Sequence, residues 1–268
     1  MNKLVKKITT FIIYGLIYDP RVFFGLITSY IIGTNPTVVK FFLRQDLLSV
    51  LMSGKSLIRF GDGEVMLMTG RDIYYQTTSL NLKNKLRTII KNFTAKSSYI
   101  LSIPTDAITA ETDELKAKGR YRIWHLFRVF FALRMDNKMT YADAHLFYHQ
   151  STYVDLIKPL ILDREIICIS KAETQNKNFL DTLKQTASSV SSVITPATES
   201  FSQYTSLFEQ ILNLIKILPQ PKKCLLLISA GPAGKVLAYH FAELGIQCLD
   251  LGHGMEIIGQ NKDYSDRI

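Results

Sequence analysis

Cysteine is scarce in this chain, and its three copies, Cys168, Cys224 and Cys248, form no Cys-x-x-Cys pair. All three sit inside apolar runs that read as strands. That pattern excludes a disulfide-stapled secreted scaffold and a structural zinc site, and it points to buried free thiols in a reducing cytoplasm. Long hydrophobic runs are also lacking. The two at the start, Ile8 to Tyr18 and Val22 to Ile32, are split by Asp19-Pro20-Arg21. Each falls short of the roughly 20 residues a spanning helix needs. No clear signal-peptide cleavage site follows them. There is no internal repeat, no Gly-x-Ser-x-Gly elbow and no Cys-His nucleophile arrangement. His145-Leu-Phe-Tyr-His149 has metalloprotease spacing without the adjacent glutamate, so a zincin is excluded and structural histidines, sharing one face of a strand, are expected.

What is present is globular. Hydrophobic residues make up 47% and charged residues 21% of 268, enough for one large α/β domain with a helical appendage. Acids are the scarcer charge, 23 against 32 basic residues, giving +9. The excess is uneven, since residues 1–60 hold eight Lys/Arg against only Asp19 and Asp46. Two readings of that basic apolar start stand side by side: helices lying on an anionic membrane surface, or core helices with solvated lysines.

Strands and helices alternate beyond it. Thr37 to Met52 reads as a helix stopped by Gly54, and Leu57 to Phe60 as a strand. Ser79 caps a helix whose stripe is Leu82, Leu86, Ile89, Ile90 and Phe93. Tyr99 to Ile103 is a strand ending at Pro104. Arg120 to Arg134 is a helix of core aromatics edged by Arg122, Arg128 and Arg134; no nucleic-acid motif accompanies it. Further strands are expected at Glu165 to Ile169, Ser189 to Ile194, Cys224 to Ile228 and Ile246 to Leu249, with helices from Tyr204 to Leu218 and Ala233 to Leu244. This alternation predicts an α/β fold with a mostly parallel sheet and helices on both faces. Residues 1–35 form a helical N-terminal extension and 36–268 the main domain.

Two stretches carry chemistry. The strand Leu57 to Phe60 runs into a glycine-flanked turn bearing Asp62 and Glu64. With Gly63 free to take positive φ, those carboxylates can converge on one divalent cation at a strand's carboxyl end, where α/β folds hold phosphorylated ligands. An ordinary Asp-Gly hairpin turn explains the same residues. In the second, the strand from Cys224 enters Ser229-Ala-Gly-Pro-Ala-Gly234-Lys235 and then a helix. Exposed amides around Gly231 and Gly234, the helix dipole and Lys235 make an anion cradle. The glycines are too close for a Walker A loop, and Val236 replaces its hydroxyl residue. Ser229, Gly231 and Gly234 instead imitate a dinucleotide fingerprint, and Asp250 stands where a ribose-binding acid would. That keeps an NAD(P)-binding oxidoreductase as the alternative, although little chain follows Asp250. A ligand-free strand-helix turn is the third reading. Asp106 follows a strand end, Asp143 lies in Tyr141-Ala-Asp-Ala-His145, and His253 sits between Gly252 and Gly254.

Arg59-Phe-Gly-Asp-Gly-Glu64, together with Gly231-Pro-Ala-Gly-Lys-Val-Leu-Ala-Tyr239 and Leu249-Asp-Leu-Gly-His253, resembles the bacterial GT-D-type glycosyltransferases. The resemblance runs from about Thr37 to Gly254 and leaves residues 1–35 outside. It departs from the family pattern at Ala144 to His149, where relatives carry an arginine near the segment's end. It implies a Rossmann-like fold and a metal-dependent transfer from a UDP-sugar, in surface polysaccharide or glycoprotein assembly. By the same resemblance, Asp62 and Glu64 hold Mn²⁺ or Mg²⁺. Arg59, Gly231, Gly234 and Lys235 are then expected to bind the donor nucleotide, and Asp106 or His253 to act as base. The acceptor is a glycan on lipid or protein. A cytoplasmic location, peripheral at the inner face of the plasma membrane, follows from the basic start. A membrane-surface protein with a decayed site is a further reading of it.

Overall fold

The computed structural model describes residues 19–32, 36–149, 151–174 and 177–256. The run Ile8 to Tyr18, and with it most of the segment 1–35, lies outside them. In chain order the first elements are α1 (Pro20–Ile32), β1 (Lys40–Phe41), α2 (Arg44–Met52), β2 (Ser56–Arg59), α3 (Asp62–Met68) and α4 (Leu80–Lys91). Then come β3 (Tyr99–Ile103), α5 (Thr105–Thr109), α6 (Thr112–Ala117), α7 (Tyr121–Arg134) and β4 (Thr140–Asp143). The second half holds α8 (Lys158–Ile161), β5 (Glu165–Ser170), α9 (Lys177–Lys184) and β6 (Ser189–Ile194). It closes with α10 (Tyr204–Ile217), β7 (Cys224–Ser229), α11 (Gly231–Glu243) and β8 (Gln247–Asp250). None of these helices is long and apolar enough to cross a membrane.

The chain divides into two compact units. The larger, Phe42–Arg59 with Phe93–Ile103 and everything from Tyr141, carries the sheet in the order β4-β3-β2-β8-β7-β5-β6; with β1 it counts eight strands. All six pairings along that order are parallel. Parallel neighbours need a crossover for each return, which the intervening helices supply. Because helices cover such a sheet, its strands read as unbroken buried runs, as β3, β5 and β8 do. β6, at the edge, is mostly half-exposed and rich in serine. Leu57, Cys168, Leu225, Leu227 and Leu249 meet Leu160, Ile161, Phe179 and Leu183 in one core. The expected free thiols are there, all three buried. Burial pushes Cys168 and Cys224 up to about 12, and Cys248 well above the usual thiol range.

The smaller unit, from the described start through Phe41 with Phe60–Asn92 and Pro104–Thr140, is helical. Gly25 lets α1 approach α7 closely: a Cβ there would stand 2.9 Å from both Val129 and Leu133. Ser79 caps α4 by accepting from the Leu82 amide, with Leu82, Leu86 and Ile89 buried as the stripe predicts.

Three local expectations change. The helix expected from Thr37 begins only at Arg44. The β-branched and aromatic run Val38 to Phe42 stays extended after Pro36, and the Phe42 amide donates to the Tyr141 carbonyl at 2.9 Å. His145 and His149 flank a 3-10 turn, Leu146–Tyr148, so they share no strand face. Arg128, expected on the edge of its helix, is 3% exposed. Its guanidinium donates to the Ala107 and Ala110 carbonyls, capping the C-terminal end of α5.

Candidate active site

In the larger unit, two strand ends and the start of α11 meet through one carboxylate. β2 pairs with β8 in parallel, which sets Arg59 beside Asp250. The Arg59 amide donates to Asp250 Oδ2 at 3.1 Å, and Lys235 Nζ reaches the same oxygen at 3.2 Å. Asp250 is 1% exposed. A carboxylate buried this deeply and engaged by two protein donors does not reach a ribose, which removes the acid the NAD(P) alternative requires. The Arg59 side chain turns back on the same turn. Its Nη1 donates to the Leu251 carbonyl at 2.6 Å, and the guanidinium lies 5.6 Å over the Tyr148 ring. Gly252 sits at φ +52°, and a Cβ on it would strike that guanidinium, so the turn needs glycine on both counts.

Three buried polar atoms here have no hydrogen-bond partner: Arg59 Nε, Ser102 Oγ and Asp250 Oδ1. Ser102 pairs in register with Arg59, so they sit at the ends of adjacent strands β3, β2 and β8. A buried donor and a buried acceptor left unpaired are each costly, and together they match a polar occupant such as a hydroxyl or water. Ser102 was visible beforehand as the one polar residue of an apolar strand. Tyr148 had no such signal.

The anion cradle expected at the start of α11 is mostly spent within the protein. The Gly234 amide donates to Ala230 at 3.2 Å, and a Cβ there would stand 2.8 Å from Ile228, so this glycine serves close helix-strand packing. Pro232 has no amide hydrogen, and Lys235 holds Asp250. Gly231, at φ +52°, makes the turn into the helix. His253 is 67% exposed, its Nδ1 3.4 Å from Glu256 Oε2, while Lys171 takes the other Glu256 oxygen at 3.2 Å. Burial works to raise Glu256, but the Lys171 hydrogen bond and the His253 and Lys171 charges hold it below the usual range.

The smaller unit holds the acidic pair, and its geometry differs from the expected turn. Asp62 and Glu64 are the first and third residues of α3, and Gly63 is helical without positive φ. Gly61 is the extended N-cap, and Glu64 Oε2 accepts its amide at 2.9 Å, the return arm of a capping box. The sequence looked like a hairpin because Gly-Asp-Gly hides this helix start. Glu64 folds back over the first turn to the Gly61 amide, and its charge acts on Asp62. Burial first, and then the Glu64 charge, raise Asp62 above the usual carboxylate range. Asp106, in the same unit, lies on α5 with Lys118 3.8 Å away.

Among the described residues no group of three or more His, Cys, Asp or Glu side chains could hold a metal. Two acids suffice for Mg²⁺ or Mn²⁺ when substrate phosphates and water complete the shell. The mutual repulsion of Asp62 and Glu64 is what a cation between them would relieve, so the pair fits that chemistry.

The family model "Glycosyltransferase GT-D fold" matches residues 57–258. The chain is 25% identical over 226 residues to Glycosyltransferase GlyD of Streptococcus pneumoniae serotype 4, covering 76% of this chain and 25% of that protein. It is 23% identical over 222 residues to Probable glycosyl transferase Gly of Streptococcus gordonii, covering 78% and 31%. The chain thus spans about a quarter to a third of these relatives' lengths. Among solved structures, "A New Glycosyltransferase (DUF1792) from Streptococcus sanguinis" superposes with a TM-score of 0.68 at 20% identity, over 84% of this chain and 87% of that one. A second, described as having "a distinct glycosyltransferase fold", gives 0.68 at 21% identity, over 86% and 82%. At these identities the superpositions establish the fold, and the family model establishes the kinship. With its acidic helix start after β2 and its parallel sheet, the chain belongs to the GT-D-fold glycosyltransferase family.

Proposed function

We propose that this chain is a metal-dependent hexosyltransferase that moves a sugar from a UDP-sugar to a saccharide acceptor on lipid or protein, in surface polysaccharide or glycoprotein assembly. The observation that carries the reading is the pairing of Asp62 with Glu64 at the start of α3, inside the matched family region. Those two carboxylates would hold Mn²⁺ or Mg²⁺. The bound cation supplies Lewis-acid neutralisation of the charge that builds on a departing diphosphate.

The chain's own residues have distinct tasks. The Gly61 amide fixes the Glu64 carboxylate, so it is oriented before any ligand arrives. Arg59 stiffens the Leu251–Gly252 turn and brings a cationic group to the carboxyl end of β2. Gly231 opens the turn at which the α11 dipole begins, which favours a phosphate there. A base for the acceptor hydroxyl comes from His253, exposed and steered by Glu256, or from Asp106. The basic N-terminal segment suits a peripheral place on the anionic inner face of the plasma membrane.

The test is UDP release from a panel of UDP-sugars, with Mn²⁺ and with EDTA, on wild type and Asp62→Ala. Turnover of one donor that is lost with EDTA and in the variant is expected. Turnover that persists in both conditions would overturn the metal mechanism.

A further inference from the structure

A groove in the smaller unit, outside the acidic pair, has its own chemistry. It is a cavity of about 600 Å³ between α4 and α7, within the size of pockets that hold small molecules. Part of its lining is cationic. Arg87 and Arg134 share a single carboxylate, Asp19, which is 1% exposed. Arg87 Nη2 meets Asp19 Oδ2 at 2.5 Å, while Arg134 Nη2 meets Oδ1 at 2.6 Å and its Nε meets Oδ2 at 3.3 Å. One buried anion therefore holds two guanidiniums. Both remain about a third exposed, 31% and 32%, toward the groove, with Lys91 on its rim. The lining carboxylate, Asp136, accepts the Lys138 amide. The same lining also includes the apolar side chains Ile90, Phe130, Leu133 and Met135.

This combination selects a ligand class. Planar guanidiniums pinned by a buried acid are pre-oriented for the oxygens of a phosphate. The apolar wall has no use for a free sugar or an inorganic anion, but it covers hydrocarbon. We propose that the groove binds the phosphate-headed aliphatic part of a lipid-linked acceptor. Its position suits that task. Arg87 Nη2 also donates to the Met68 carbonyl at 3.2 Å, at the far end of α3 from Asp62. The six residue steps from Asp62 to Met68 span about 9 Å of helix. A molecule whose phosphate rests on Arg87 and Arg134 can extend its sugar along α3 toward the carboxylates. The use made of the bound molecule rests on the transferase reading; the binding itself does not.

The probe is dodecyl phosphate below its micellar concentration, titrated calorimetrically into the full chain in EDTA. Saturable binding is expected, at least about tenfold tighter than inorganic phosphate or the neutral amphiphile dodecyl maltoside. Lys91→Glu, which removes a rim cation, and Leu133→Ser, which trims the apolar wall, should each weaken it several-fold, whereas Asp62→Ala should leave it unchanged. Replacing Arg134 would also take two hydrogen bonds from the buried Asp19, so the exposed rim variants carry the test. Equal binding of dodecyl maltoside, or of inorganic phosphate, would overturn the proposal. So would indifference to both rim variants, loss of binding in Asp62→Ala, or capture by phosphatidylglycerol vesicles with no binding of the monomer. If dodecyl phosphate binds as expected while no UDP-sugar turns over, the UDP-sugar donor reading fails and the groove stands.

Discussion

Lys235 and Asp250 form an enclosed ion pair, Nζ to Oδ2 at 3.2 Å, with 9% and 1% of their side chains exposed. It joins the second turn of α11 to the end of β8. Removing one partner leaves a charge in a place water does not reach, so Lys235→Met should cost roughly 3–5 kcal/mol. Lys235→Met combined with Asp250→Asn should recover most of that, because the amide oxygen still accepts from Arg59. Urea denaturation of the two variants makes the comparison. Equal destabilisation of single and double variants would show that packing, not charge, sets the cost.

Glu64 has two tasks that can be separated. Glu64→Ala removes the bond to the Gly61 amide and should destabilise by about 0.5–2 kcal/mol as well as abolish metal-dependent turnover. Glu64→Gln keeps an acceptor for that amide, so its stability should stay within about 0.5 kcal/mol of wild type while turnover is lost. Mn²⁺-dependent turnover at wild-type level in Glu64→Gln would remove this residue from the metal site.

The pH response of Asp62 follows from its raised pKa. A carboxyl that holds its proton more tightly when folded contributes stability present below its unfolded pKa and lost as pH rises through the folded value. Without metal, Asp62→Asn should therefore be more stable than wild type at neutral pH, with the gap closing as pH falls below the folded pKa. Mn²⁺ should reverse the order, stabilising only wild type, and more so as pH rises through that value. Thermal melts from pH 4 to 8, with and without Mn²⁺, read this directly. A gap that widens toward acid would contradict it.

Gly252→Ala should cost at least about 1 kcal/mol from its left-handed backbone alone. The Arg59 guanidinium adds a collision to that. In an Arg59→Ala background the collision disappears, and the cost should fall by about 0.5 kcal/mol or more. A coupling of zero would mean that Arg59 swings away at no expense.

Strands 99–103 and 189–194 were legible to the residue, the first as an apolar run ended by Pro104, the second as a β-branched and serine run closed by Thr195-Pro196. The acids of the candidate site were legible as residue types at a spacing, and illegible as a helix start. A glycine N-cap followed by Asp-Gly-Glu carries the same local letters as a hairpin. Long-range pairing was the larger gap. Nothing near Lys235 announces that its charge is spent on Asp250. Nor does anything near Asp19 announce Arg87 and Arg134, 68 and 115 residues away. Hydrophobic period reports which face is buried, and it says nothing about which buried charges will find each other.

The three thiols, each enclosed in a strand of the larger unit, give the folded protein a chemical silence. Alkylating reagents attack thiolates, and thiols held at high pKa inside the sheet present almost none. Any label taken up by the unaltered chain therefore times the opening of the sheet itself. A single cysteine placed on the rim of the helical unit would be the one fast-reacting handle on the molecule, ready for a probe without removing any native residue from the core.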